Sequence, residues 1–373
     1  MLSCLLFVGV TQVTAPELRA WGFDTIEQIR RDLYLSPRRL YAESTKVGAP
    51  PAQPAFHWPA GVQLSALNAA ARLHKKYLPW AVEYGEAMRA YWRPAEQAPE
   101  VAGRRLGGFD VLPLPKESDR YYDDNAWFVL AYAETFEISG DPRFLRWAEE
   151  AFEFVMSGWD ESLGGGIYWR ESDRASKNTC SNAPSAAGAL ELYRLTGQKR
   201  YLQDALRIYA WTKAHLQDPS DGLMWDALAN SGRIDRTKWT YNTALMIRSA
   251  TAIADLLPPT QASRYRQDAR RMIESAIGRW GRPGGAIACD AAFAHLLTEA
   301  ILLANKTERS QTWRDFVLTT LGWLRSNGRD RLGRYPKRWN QAPGAALEEV
   351  HLMHQASAAR AYLYAAFAAD GAG

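Results

Sequence analysis

Two kinds of helical pattern alternate along the chain. Segments that begin at Phe144, Tyr201, Tyr265 and Trp313 open with an aromatic residue and then place apolar residues on one face and charged residues on the other. This periodicity predicts amphipathic helices at the surface. Between them lie segments with no polar face, such as the run from Ala126 to Ala133. A helix that is apolar all round must be buried, so these segments predict inner helices.

Counting both kinds of segment along the chain predicts six helical hairpins. The predicted outer helices begin near Asp24, Pro79, Asp141, Gln198, Gln261 and Ser310. The predicted inner helices begin near Pro59, Asp124, Asn182, Asn242, Asp290 and Gly344. Six buried helices inside six amphipathic ones form an all-α (α/α)6 toroid, which we expect as a single domain over residues 16–373. The alternative is an open solenoid of helix pairs. It is disfavoured because the last inner helix, Leu347 to Phe367, is apolar rather than a polar cap.

Composition restricts the classes of function. Of the 373 residues, 47% are hydrophobic and 23% are charged, which is typical of a globular protein. The 45 basic residues nearly balance the 41 acidic ones and form no long run, so no nucleic-acid partner is expected. The mean hydropathy of −0.35 argues against an integral membrane protein. Three cysteines are too few for a disulfide framework or a Cys-rich zinc site.

The histidine and cysteine patterns predict no metal and no cofactor. Glu348, Glu349, His351 and His354 could form half of a metal site on the last inner helix, but no matching second half is present. Cys180 has no evident His base in the sequence, so a buried free thiol is expected there, as at Cys289.

The N-terminal residues allow two interpretations. Met1 to Val10 is almost entirely apolar, and Val13 to Ala15 is a small-residue pattern of the kind that signal peptidases cleave. A positively charged segment before the apolar run is missing. The first interpretation is a signal peptide over residues 1–15, with a secreted or periplasmic protein. The second is a disordered terminus. We expect the mature protein to be a monomer.

Asparagine or aspartate recurs near the start of several predicted inner helices. The recurring positions are Asn125, Asn182, Asn242 and Asp290. Gly/aromatic segments precede these helices, so their N-termini should surround one mouth of the toroid. The residues are either helix N-caps, worth about 1 kcal/mol each, or part of the cavity lining. Both roles are compatible, because an N-cap at the mouth faces the cavity.

One helix start carries two adjacent carboxylates, Asp123 and Asp124, among aromatic residues. Neighbouring like charges raise the pKa of one carboxyl, which supplies a proton donor and an anion together. Glycoside hydrolysis needs such a pair. At an ordinary surface the same pair would be solvated or would cap the helix. The chain also has 15 tryptophans, and those near the predicted mouth can either stack on sugar rings or pack in the core.

Six motifs in a characteristic order resemble glycoside hydrolase family 76, the endo-α-1,6-mannanase family. They are YYDDNAW at 121–127, SGDPRFL at 139–145, GGGIYWR at 164–170, KNTCSNAPSAAGALELYRLTG at 177–197, DGLMWDAL at 221–228 and KWTYNTAL at 238–245. The resemblance covers most of the chain after residue 23. It implies an (α/α)6 barrel that hydrolyses α-1,6-mannosidic bonds with retention of configuration.

The resemblance also implies roles for individual residues. Asp123 is expected to be the nucleophile and Asp124 the general acid/base. The expected substrate-binding residues are Tyr122, Asn125, Trp127, Trp169, Asn182, Asp226, Trp239, Tyr241 and Asn242. The expected partner is a polysaccharide or oligosaccharide. Two alternatives use the same cleft: a mannan transglycosidase and a non-catalytic glycan-binding cell-wall protein.

Overall fold

A computed structural model describes residues 13–115, 117 and 119–371. Residues 1–12, which make up most of the predicted signal peptide, lie outside this range. Twelve α-helices occur in the described residues, and they alternate between an outer and an inner ring. The outer helices are α1 (Ala15–Leu33), α3 (Leu78–Ala87), α5 (Pro142–Ser157), α7 (Lys199–Leu216), α9 (Pro259–Trp280) and α11 (Gln311–Asn327). The inner helices are α2 (His57–Leu73), α4 (Tyr122–Ser139), α6 (Thr179–Thr196), α8 (Thr240–Leu256), α10 (Ala291–Glu308) and α12 (Leu352–Ala369).

The inner helices form a closed ring. Each packs against its neighbours in chain order, and α12 returns to pack against α2. The predicted (α/α)6 toroid is therefore confirmed, and the open solenoid is excluded. An outer helix covers each inner one, and α12 is covered by α1 from the other end of the chain. Gly22 on α1 permits this contact, because a Cβ there would clash with Cγ of Leu363.

Two predicted helix boundaries were wrong. The first outer helix begins at Ala15 rather than near Asp24, because Thr14 and Glu17 form a reciprocal capping box at its N-terminus. The last inner helix begins at Leu352 rather than near Gly344. Residues 349–351 form a strand that pairs antiparallel with residues 44–46, and their main chain is therefore unavailable to the helix.

The loop segments that precede the inner helices contain short strands, which pair with one another. The strands are β1 (Tyr34–Leu35), β2 (Leu40–Tyr41), β3 (Ser44–Lys46), β4 (Trp92–Arg93), β5 (Gly108–Phe109), β6 (Ser176–Asn178), β7 (Ala227–Ala229), β8 (Ile234–Asp235) and β9 (Glu349–His351). All the strand pairs are antiparallel: β1–β2, β3–β9, β4–β5, β6–β7 and β7–β8. These ladders build a rim around the N-terminal ends of the inner helices.

A buried ion-pair network joins the inner helices inside the ring. It takes one residue from each inner helix: Ser65, Glu134, Glu191, Arg248, Glu299 and Arg360. Arg360 donates to Oε1 of Glu134 at 2.6 Å, to Oε2 of Glu299 at 2.9 Å and to the carbonyl of Ser65 at 2.9 Å. Burial raises the pKa of Glu299, but the charges of Arg360 and Arg248 outweigh it and hold the pKa at about 2. Glu299 is therefore charged at neutral pH.

The two ends of the toroid differ in character. At the C-terminal ends of the inner helices, a cavity of about 380 Å³ is lined by the ion-pair network and by further charged side chains, including Arg72, Arg194 and Lys306. At the other end, a second cavity lies among the inner-helix N-termini and the rim. Within the described part of the chain, no helix is both long and apolar enough to cross a membrane.

Candidate active site

The cavity at the N-terminal end has a volume of about 360 Å³. Trp58, Asp123, Cys180 and Tyr241 line it, and each is the second residue of its inner helix. The other lining residues are Tyr121, Asp124, Trp169, Asn178 and Asp226. The same turn of four neighbouring helices thus supplies the base of the cavity, and five of the predicted site residues meet there: Asp123, Asp124, Trp169, Asp226 and Tyr241.

The start of α4 places both aspartates at the mouth. Tyr121 is extended at the N-cap, and Asp123 and Asp124 lie in the first helical turn. Tyr122 is fully buried and stacks on Phe154 of the outer helix α5, with ring centroids 5.1 Å apart. The first-turn N–H groups of a helix have no intrahelical partner and carry a partial positive charge, which favours carboxylates at this position.

The two carboxyls have different electrostatic surroundings. Burial raises the pKa of Asp123 to about 6, against the opposing influence of the Cys180 thiol, the Trp169 indole and backbone N–H groups at the start of α4. Burial raises the pKa of Asp124 well above its ordinary value, and the negative charges of Asp123 and Asp119 raise it further. At mildly acidic to neutral pH, Asp123 therefore ionises first and Asp124 keeps its proton.

Four aromatic side chains line the cavity together with the aspartates: Trp58, Tyr121, Trp169 and Tyr241. Trp169 is 39% exposed, and its ring lies 5.0 Å from that of Tyr121. Phe293 of α10 stacks on Tyr241 at 4.3 Å and on Trp58 at 5.7 Å. Exposed rings beside polar groups can stack on the apolar faces of sugars while the polar groups bind hydroxyls.

Asp226 is a third acidic residue in the cavity, and the predicted residue Asn242 holds it in place. Nδ2 of Asn242 donates to Oδ1 of Asp226 at 3.0 Å. Burial raises the pKa of Asp226, while Asn242 and the Trp239 indole lower it. Trp239 is 42% exposed at the edge of the mouth, where it is accessible to a ligand. Asn242 itself is buried and acts behind Asp226.

Besides Trp239 and Asn242, described above, four further predicted substrate-binding residues do not line the cavity. Tyr122 is buried against the outer ring, as described above. Trp127 lies about one helical turn deeper and lines a small internal cavity with Glu134 and Arg248. Asn125 and Asn182 are fully buried, and their side-chain amides are hydrogen-bonded to backbone groups. Each of these four side chains lies behind the cavity wall rather than in it.

Asn125 and Asn182 instead attach the rim to the inner helices. Asn182 accepts from the N–H of Ile167 at 2.8 Å and donates to the carbonyl of the same residue at 2.9 Å. Asn125 makes the equivalent pair of bonds with Phe109. Gln355 on α12 does the same with Tyr335. Each is the fourth residue of its helix, and each pairs rim backbone groups that burial would otherwise leave unsatisfied.

The predicted N-capping role is correct at Asp290 alone among the four positions considered. Asp290 accepts from the N–H of Ala292 at 3.0 Å at the start of α10. The caps of α4, α6 and α8 are Tyr121, Asn178 and Trp239, and none of them accepts a side-chain capping bond. The asparagines in question lie inside the helices, where their side chains are free for other contacts.

We expect Asn182→Ala to lower stability without weakening substrate binding. The change leaves the N–H and carbonyl of Ile167 unpaired in the interior, which costs about 1–3 kcal/mol. Gln355→Ala removes the equivalent contact on the sixth inner helix and serves as the matched variant. Thermal melting should fall similarly for both, while KM stays within about twofold of wild type. A large rise in KM for Asn182→Ala at unchanged stability would instead assign Asn182 to substrate binding.

Sequence reasoning missed several residues of the site. Tyr121, Asn178 and Cys180 lie within the six motifs, but they were not predicted to line the cavity. Phe293, which stacks on two of the lining rings, was not predicted either. Helix register is the signal that could have located them, because the second residues of α2, α4, α6 and α8 all line the cavity. Cys180 and Cys289 are buried free thiols, as predicted. The described residues contain no group of three or more His, Cys, Asp or Glu side chains that could hold a metal ion.

Adjacent carboxylates with separated pKa values, in an aromatic cavity of an (α/α)6 toroid, form a site of the kind that glycoside hydrolases use. The chain belongs to glycosyl hydrolase family 76, whose family model matches residues 46–295. The resemblance drawn from the motifs is therefore confirmed.

Curated relatives share part of the chain. Mannan endo-1,6-alpha-mannosidase DCW1 of Candida glabrata is 28% identical over 163 residues, which is 39% of this chain and 36% of that protein. Mannan endo-1,6-alpha-mannosidase DFG5 of Saccharomyces cerevisiae is 32% identical over 157 residues, or 37% of this chain and 34% of that protein. The aligned region thus spans little more than a third of the length of these relatives.

Solved structures match nearly the whole chain. A GH76 alpha-mannanase of Bacteroides thetaiotaomicron has a TM-score of 0.85 and 28% identity, and the match covers 94% of this chain and 95% of that one. An alpha-1,6-mannanase of Salegentibacter sp. was solved with alpha-1,6-mannotriose as an inactive variant in which two consecutive aspartates are asparagine. Its TM-score is 0.78 at 23% identity, with coverage of 94% of this chain and 99% of that one.

Proposed function

We propose that this protein hydrolyses α-1,6-mannosidic bonds with retention of configuration, using Asp123 as nucleophile and Asp124 as general acid/base. The carrying observation is that the first turn of α4 presents both carboxyls to one cavity, one easily ionised and the other held protonated. The Salegentibacter mannanase supports the substrate class, since its inactive double variant binds alpha-1,6-mannotriose. Relatives named as mannan endo-1,6-alpha-mannosidases support the same linkage.

The proposed reaction proceeds in two displacements. Asp123 attacks C1 of a mannosyl unit, the glycosidic C1–O bond breaks, and the proton of Asp124 passes to the departing oxygen. This forms an ester between Asp123 and the sugar. Asp124, now a carboxylate, takes a proton from water as the water oxygen attacks C1. The ester bond breaks, and both aspartates return to their initial protonation states with the α configuration restored.

The test is to incubate the purified protein with linear α-1,6-mannooligosaccharides and to follow product length and anomeric configuration by NMR. We expect shorter oligosaccharides whose new reducing ends are initially α. Products with an initial β anomer would contradict retention. Products longer than the substrate would show transglycosylation through the same intermediate, and binding without cleavage would contradict a catalytic role.

The activity should depend on pH in a bell shape. Below about pH 6 Asp123 becomes protonated and cannot attack, so kcat/KM should fall towards about tenfold per pH unit. On the alkaline side the activity should fall as Asp124 loses the proton that it donates. The two apparent pKa values of the profile describe the pair of carboxyls rather than either residue alone, because the carboxyls interact strongly. A profile that stays flat from pH 4 to 8 would contradict the assignment of both groups.

A further inference from the structure

Trp169 is fixed over the start of α4 by its main chain. Its N–H donates to the carbonyl of Ser176 at 2.9 Å, and its own carbonyl accepts from the N–H of Tyr122 at 3.0 Å. Its ring packs at an angle of 57° on that of Tyr121, the N-cap residue of the helix. The position of the indole relative to Asp123 is therefore determined by the fold even where the ring surface is exposed.

The two carboxylate oxygens of Asp123 are not equivalent. Nε1 of Trp169 donates to Oδ2 at 3.1 Å. Oδ1 is buried and has no hydrogen-bond partner. Asp123 lines the cavity, so the indole N–H is the side-chain donor that fixes the orientation of a carboxylate in the cavity wall.

We propose that Trp169 is a positioning residue for Asp123: its indole N–H binds Oδ2 and holds the carboxylate in the orientation from which it attacks C1. This inference rests on the proposed hydrolytic function and adds a second role to the sugar-stacking one expected for Trp169. When Asp123 attacks, one carboxylate oxygen bonds to C1 and the other becomes the carbonyl oxygen of the ester, while the indole N–H holds the carboxyl group in place. When water later displaces Asp123, the N–H stabilises the returning negative charge of the leaving carboxylate.

Trp169→Phe separates the two roles, because phenylalanine keeps a ring beside Tyr121 and lacks the N–H. We expect kcat to fall about 10- to 100-fold, as for the loss of a hydrogen bond to a charged group. KM should change by less than about threefold, since the stacking surface remains. The acid limb of the pH profile should move up by roughly one unit, because the N–H no longer favours the ionised form of Asp123.

The pH shift can be assigned to the lost N–H because the other groups around Asp123 are unchanged. They are Asp124 on the same helix, Cys180 on α6, Tyr241 on α8 and Tyr121 at the N-cap. Trp159→Phe is the matched control. The indole of Trp159 donates to Oε1 of Glu161 at 2.7 Å on the exposed rim and makes no contact with Asp123. It should leave kcat and the pH profile within twofold and a few tenths of a unit of wild type.

The outcomes distinguish this inference from the function on which it rests. Asp123→Asn is assayed beside the tryptophan variants. Substantial hydrolysis by Asp123→Asn would contradict the proposed function itself. An inactive Asp123→Asn together with a Trp169→Phe that keeps the wild-type kcat and acid limb would overturn only the positioning role. A rise in KM alone for Trp169→Phe would leave Trp169 as a sugar platform and would likewise overturn it.

Discussion

Replacing Asp123 or Asp124 with asparagine should reduce mannan hydrolysis by at least about 10³-fold, the largest effect on activity that we expect from any single change. Asparagine preserves the size of each side chain but can neither attack C1 nor exchange a proton. Steady-state rates on α-1,6-mannooligosaccharides measure the loss. Asp226→Asn is the comparison within the same cavity. Asp226 has no proposed part in bond breaking, so its variant should chiefly raise KM.

The two aspartates can be told apart by chemical rescue with azide on an activated aryl mannoside. In Asp124→Ala, Asp123 still forms the ester because the aryl group needs no proton to leave, and azide then displaces Asp123 to give an α-mannosyl azide. In Asp123→Ala, azide takes the place of the missing nucleophile and gives the β-mannosyl azide. Exchange of these two products between the variants would reverse the proposed roles.

The same variants should not be less stable than wild type at neutral pH. The fold raises the pKa of Asp123 to about 6 and that of Asp124 well above its ordinary value. Well below pH 4 both carboxyls are protonated in the folded and in the unfolded chain. Between about pH 4 and 6 the unfolded chain is ionised while the folded carboxyls keep their protons, so the free energy of unfolding falls, and above pH 6 Asp124 alone continues the decrease. Asparagine removes this cost, and melting temperatures at pH 8 should equal or exceed that of wild type.

The sequence predicted the helices best where a local signal marks their ends. α5, α7 and α11 begin within one residue of the predicted positions. At the start of α5, Gly140 adopts a left-handed conformation and ends the preceding helix, and the Asp141 side chain caps the next one by accepting from the N–H of Arg143. These features need only neighbouring residues, so a sequence pattern is sufficient to locate them.

The site residues were predicted less completely, because the residue at which a helix begins decides which of its side chains face the cavity. Asn125, Asn182 and Asn242 looked equivalent, but Asn242 is the third residue of its helix and the other two are the fourth. One residue turns a side chain by about 100° around a helix, enough to move it from the cavity to the rim contact. On α8 the fourth residue is Thr243, whose Oγ1 accepts from the N–H of Met224 at 3.1 Å.

The sequence pattern also did not predict contacts between distant parts of the chain. The pairing of β3 with β9 and the packing of α1 on α12 join residues more than 300 positions apart. The sequence contained a weak signal for the ion-pair network, because Glu134, Glu191, Arg248, Glu299 and Arg360 are charged residues within the largely apolar middle segments of the inner helices. Their partners lie on other helices, so their pairing follows only from the closed ring.

Arg360→Met should destabilise the fold by about 3–5 kcal/mol, the range expected when one partner of a buried ion pair is removed. Arg360 is 5% exposed and holds Glu134 and Glu299 at 2.6–2.9 Å. Methionine fills a similar volume but leaves Glu134 without its partner and Glu299 with only Arg248. Guanidinium unfolding at pH 7 measures the change. Arg105→Met is the exposed control, since its pair with Glu100 is more than half exposed on both sides and is worth about 0–1 kcal/mol.

A triple variant separates the loss of charge pairing from the loss of packing. Adding Glu134→Gln and Glu299→Gln to Arg360→Met removes the stranded charges, so a substantial part of the stability should return if desolvated charge causes the loss. If the triple variant is as unstable as the single one, packing and hydrogen bonds to Ser65 account for the effect instead. A change below about 1 kcal/mol for Arg360→Met would contradict a structural role for the network. Because the network lies about three helical turns from Asp123, the catalytic pH profile should be unchanged in every variant that folds.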